Sequence, residues 1–192
     1  MNVLSLRFGA LALVGALLAA PASAELGPCG EVDDETLFSA IIGEYESRDF
    51  AGFVTMEGGG TMPAGSSGVT EPVVFWIFEE ELTASSEDGE VPYHIVFERA
   101  EGASDFLDPD FQDGASGPLS DEEVEILVEC DLPDIPRIIG NAEVDTPGGP
   151  MHLTLDLLYL GEAGMHGLMT WDTVQQGQQV TIRKPVVMTP SG

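Results

Sequence analysis

Between residues 151 and 160 apolar and polar side chains alternate, with Leu153, Leu155, Leu157 and Tyr159 on one face. A period of two predicts an extended strand with one buried side. Tyr93, Ile95 and Phe97 alternate in the same way with His94, Val96 and Glu98, which predicts a strand over 91–99. Further strands are expected over 50–56, 137–145, 165–174 and 179–188, separated by Gly-, Pro- and Gln-rich turns. Residues 71–82 differ, because Val73, Val74, Phe75, Trp76, Ile77 and Phe78 leave no polar face. Such a two-faced apolar run suits a central strand or a barrel stave.

Near the N-terminus the period changes. Leu37, Phe38, Ile41, Ile42 and Tyr45 recur at helical spacing behind Asp33, Asp34 and Glu35, acids that favour a helix N-terminus. A short helix ending near Gly43 follows. Residues 120–130 support two readings: Ser120 and Glu123 have capping-box spacing, while Val124, Ile126, Val128 and Cys130 alternate as a strand would. The stretch at 100–119 is an irregular acidic loop punctuated by Gly102, Pro109, Gly114, Gly117 and Pro118, longer than most connections in a compact domain. The expected fold class is all-β and mainly antiparallel: a seven- to eight-stranded meander forming a barrel or sandwich, with a short N-terminal helix. In domain terms, 1–24 reads as a signal peptide, 25–49 as an N-terminal helical segment and 50–192 as a single antiparallel β domain.

The signal-peptide reading rests on Arg7, an apolar stretch from Phe8 to Ala20, and Ala22-Ser23-Ala24 as a small-residue cleavage site. The apolar run is too short to span a bilayer comfortably, and no second run of spanning length follows. The expected location is therefore periplasmic or secreted, without a membrane span once the signal is removed. Cys29 and Cys130 are the only cysteines, and an even count in an oxidising compartment favours one disulfide between them.

Charge changes the picture of partners more than that of fold. Against 34 Asp and Glu stand only 6 Lys and Arg, a formal net charge of −28, and Lys184 is the only lysine. Phosphate recognition needs a basic footprint, so nucleic acid is excluded as a partner. The acidity suits a saline habitat, where a short Debye length suppresses self-repulsion.

No Gly-x-Ser-x-Gly elbow is present, and Gly65-Ser66-Ser67-Gly68 is one residue too short. His94, His152 and His166 are the only conventional bases near neutral pH. On the hairpin expected around 161–164, His166 would lie opposite the region of Tyr159 and His152 opposite the region of Thr173, too far apart for a metal pair. Asp105, Asp108, Asp110 and Asp113 form the one cluster able to offer calcium several oxygens, although their spacing is not that of an EF-hand. Calcium is accordingly the one cofactor considered. The aromatic side chains on strands would ordinarily form core, but Trp76, Phe78, Phe97, Tyr159 and Trp171 are also the residues expected to line a cavity for a small apolar ligand.

A short N-terminal helix, then Gly43-Glu44-Tyr45, then many antiparallel strands with Arg183 on the last, resembles the lipocalin-like, or calycin-type, β-barrels. In that family a Gly-x-Trp opens the first strand and an Arg of the last strand packs over the Trp; here Tyr45 stands in the Trp position. The resemblance implies a barrel with a cavity for a small apolar ligand. Three functions follow as expectations: an exported β-domain protein binding such a ligand in its interior, a non-catalytic structural or interaction module of the cell envelope, or a secreted hydrolase. Neither the ligand nor the oligomeric state is read from these residues.

Overall fold

A computed structural model describes residues 29–30, 32–86, 93–101, 121–146 and 149–192. Ten strands form one antiparallel sheet: β1 (Gly43–Asp49), β2 (Gly52–Met56), β3 (Gly60–Ala64), β4 (Thr70–Phe78), β5 (Glu81–Ser86), β6 (Tyr93–Ala100), β7 (Arg137–Thr146), β8 (Gly149–Tyr159), β9 (Met165–Gln175) and β10 (Gln178–Pro190). Eight of them, β1 and β4 through β10, follow one another around a ring that closes where β1 pairs with β10. The expected meander is thus a closed barrel, which removes the open edges a sandwich would retain. Its first strand begins at Gly43, inside the segment that the sequence assigned to the N-terminal helix.

The remaining two strands form a hairpin inserted between the first two barrel strands. β10 is long enough to serve two neighbours: Val186–Pro190 pair with β1, while Val180–Arg183 pair with β2. At the changeover, Phe50, Ala51 and Gly52 oppose Lys184 and Pro185, a bulge of one extra residue. Pro185 fits there because it has no N–H to donate, while its carbonyl accepts from Phe50 N–H at 2.9 Å. Gly52 is required by contact, since a Cβ would sit 2.0 Å from the Arg183 carbonyl oxygen.

Burial alternates along the strands and fills one half of the barrel. Tyr45, Val73, Phe75, Ile95, Phe97, Ile138, Leu153, Leu155 and Leu157 point inward and are buried. Phe75 packs edge-on against Tyr45, with ring centroids 5.3 Å apart, and tilted against Phe97 at 5.5 Å. Gly140 makes room for Phe97: a Cβ there would come within 2.8 Å of the ring.

Helix α1 (Asp34–Ile41) closes this end and buries Leu37, Phe38 and Ile41. Its N-cap, Asp33, accepts the Thr36 N–H at 2.9 Å. The Tyr159 hydroxyl donates to the Ala40 carbonyl at 3.4 Å, and burial, helped by Tyr159, pushes the Tyr45 phenol up to about 12.

Residues 121–128 are helical, α2. Val124 and Val128, one turn apart, are buried under Leu158 and Leu168 on the outside of the barrel, while Ile126 is 69% exposed. A strand would have turned all three to one side. Just beyond α2, Cys130 lies at disulfide distance from Cys29, Sγ to Sγ 2.12 Å, tying the start of the described chain to this outer layer. Nearby, Arg137 grips Asp156 through two hydrogen bonds of 2.6 Å, a bidentate pair on the outer face of β7 and β8.

Candidate functional site at the barrel mouth

The end opposite α1 is not filled. Inward residues near the ends of β1 and β9 and the starts of β4 and β8 surround a cavity of about 250 Å³. One wall is apolar and adaptable, built from Met151 and Leu155 of β8, Met169 and Trp171 of β9, and Ile182 of β10. Polar groups enter the lining from Ser47 and Asp49 of β1, Glu71 of β4, Ser67 of the 65–69 loop and Lys184 of β10, which sits beside Met169, and Val69, Val186 and Met188 complete it.

Strand register accounts for these polar groups. Asp49 is paired with Val186, so Lys184, two residues away on the same face, comes alongside it diagonally. The Lys184 ammonium donates to Asp49 Oδ2 at 2.6 Å. Ser67 joins the other side of the carboxylate, its backbone N–H at 2.9 Å and its hydroxyl at 2.6 Å from Oδ1. One carboxylate thus fastens the loop between β3 and β4 to the last barrel strand. Burial pulls the Asp49 carboxyl upward, but the hydrogen bonds from Lys184 and Ser67 outweigh it and hold the group below the ordinary carboxylate range.

The residues expected to line a cavity are divided among three places. Trp171 lines it. Phe97 and Tyr159 are inward but belong to the packed half. Trp76 and Phe78 lie on the other side of the wall: Val73 and Phe75 take the inward parity of β4, which turns 74, 76 and 78 outward. Trp76 there touches His94, ring centroids 5.6 Å apart, and Phe78 is 58% exposed. The polar groups of the lining had no signal in the sequence beyond Lys184 being a lone lysine.

Compared with known proteins, the chain matches no family model, no curated protein and no solved structure.

The pairing of Tyr45 with Arg183 implied by the lipocalin resemblance does not form. Tyr45 points into the packed half opposite Pro190, while Arg183 pairs with Phe53 and has outward parity between Ile182 and Lys184. None of the three histidines lines the cavity. His94 and His152 are exposed, and the hairpin sets His166 opposite Leu158 and His152 opposite Asp172, each within one residue of the expected register. His166 is buried on the outer side of β9, where desolvation pulls its pKa down to about 4. The aspartates proposed for calcium, Asp105, Asp108, Asp110 and Asp113, lie outside the described residues. Among the described residues no cluster of three or more His, Cys, Asp or Glu could hold a metal ion, and no helix is long and apolar enough to cross a membrane.

Proposed function

We propose that this protein is an exported binding protein that holds a small, largely apolar molecule in the mouth of its barrel. The observation that carries the reading is the division of the interior: one half is filled by side chains and capped by α1, while the other retains a cavity of about 250 Å³ lined by apolar side chains and a few polar ones. Binding sites are commonly concave, mostly apolar and fitted with a few polar groups that orient the ligand. The volume limits what fits. An apolar cavity of about 150 Å³ takes one benzene ring, and ordinary ligand sites begin near 300 Å³. A single ring with a short substituent, or a short branched chain, is the right size.

The N-terminal apolar stretch and the Cys29–Cys130 pair support export to a periplasm or beyond the cell. The meander order of the eight barrel strands and the helix at the closed end support placing the chain among lipocalin-like barrels.

Native mass spectrometry of the protein from its own envelope fraction, purified without detergent, tests the proposal. A stoichiometric extra mass that leaves on unfolding is the expected result. A bare polypeptide mass would instead favour an envelope interaction module. That second reading draws on the outer face of β4, where Val74, Trp76 and Phe78 follow one another with Val74 and Phe78 substantially exposed, beside the polar Glu81, Thr83 and Ser85 of β5.

A further inference from the structure

We infer that the cup selects a small neutral molecule carrying a carbonyl-type hydrogen-bond acceptor, and that Lys184 is the residue that recognises it. This rests on the binding reading above and names the class of ligand.

Lys184 is the only lysine of a chain whose net charge is −28, and it stands in the wall of the cavity. An ammonium has three donors. Among the described residues its one hydrogen bond goes to Asp49, and its side chain is only 17% exposed. Two donors are therefore left toward a cavity lined largely by apolar side chains: Met151, Leu155 and Trp171, with Met169 and Ile182 directly beside Lys184. Water can satisfy them while the cavity is open. A ligand that fills the cavity displaces that water, and a buried donor left unpaired is costly. A ligand with no acceptor incurs this loss, whereas a ketone, amide, ester or lactone oxygen makes it good.

Charge narrows the class further. An anionic head would compete with Asp49 for the one ammonium, beside the Glu71 side chain and within a strongly negative protein. A cationic head would be set beside the ammonium that Asp49 already holds. A neutral acceptor meets neither repulsion and leaves the Asp49–Lys184 pair intact. Asp49 and Ser67 then serve as positioning residues, since they fix where the ammonium points.

Isothermal titration calorimetry on the full chain with four probes of one ring size separates the possibilities: acetophenone, ethylbenzene, benzoate and benzylamine. Acetophenone is expected to bind at least tenfold more tightly than each of the others. In Lys184→Met its advantage over ethylbenzene disappears while ethylbenzene binding is retained. Should ethylbenzene bind the unmodified chain as tightly as acetophenone, or benzoate or benzylamine more tightly, the inference is overturned and the cup remains a binding site. The four-probe comparison on the unmodified chain decides this even if the variant fails to fold. If none of the four binds, the ligand-binding reading itself falls.

Discussion

The two ends of the barrel are built by the same strands and obey different rules. At the closed end the interior is packed with apolar side chains, and Tyr45, Phe75 and Phe97 form a chain of aromatic contacts beneath α1. At the mouth the inward positions of the same strands become Ser47, Asp49, Glu71, Met151, Met169 and Lys184, and a cavity remains. The difference teaches that a barrel strand can divide its labour along its length: one half is given to burial, and the other mixes packed side chains such as Leu155 and Val186 with polar ones that border the cavity. Stability should therefore reside at the closed end and adaptability at the mouth.

The largest effect expected from this division is at Phe75. It is 1% exposed, and Phe75→Ala should cost about 3–5 kcal/mol in denaturant unfolding, the range for emptying a packed aromatic site. A loss below 1 kcal/mol, by the same scale, would erase the contrast between the ends.

The next is at Asp49, which is structural at the mouth. Asp49→Ala leaves Lys184 without its carboxylate and releases Ser67, and should cost about 1–3 kcal/mol. The sign with pH follows from the lowered carboxyl of the folded state: its contribution is present above the unfolded value of 3.8 and is lost as pH falls through the still lower folded value. The acid limb of the stability curve should accordingly be shallower in Asp49→Asn.

The smallest effect is expected at Met169, where a residue of similar volume faces open space. Met169→Leu should change stability by less than about 1.5 kcal/mol, by the tolerance of volume-conserving swaps, while altering affinity for ring-sized probes. If it destabilised as much as Phe75→Ala, the mouth would be packed core after all.

The same division explains what the sequence disclosed. Strand β8 and the closed-end half of β6 were legible because their inward residues are apolar, the signal that alternation detects, and β9 because a hairpin turn at 161–164 leads into it. β1 carries no strand signal because Glu44, Glu46 and Arg48 face outward while Ser47 and Asp49 face inward; a strand with polar residues on both faces has no apolar stripe. The span 71–82 read as one strand, whereas β4 and β5 are separated by a tight turn at Glu79 and Glu80, both with positive φ. Paired glutamates are not the Asn-Gly signature by which such a turn is recognised. β3, which contains Gly60 and Pro63, carries no strand signature in the sequence, and it exists because it leans on β2 as the outermost member of the sheet. Of the cavity, only Trp171 among the five aromatic candidates was placed by the sequence, since which parity faces inward is settled by three-dimensional closure.

Closure also dictates an order of events. The seam of the barrel joins β1 to β10, so Tyr45 finds its partner Pro190 only when nearly the whole chain is available. Contacts of such sequence separation form slowly, because the entropy of the long intervening loop is lost before they repay it. β10 moreover supplies the pairing edge for β1, β2 and β9 together. A chain interrupted before Gln178 would leave three edges unsatisfied and prone to join other chains. The closing strand of the barrel is thus its keystone, and until β10 is in place the chain is an open sheet without a cavity.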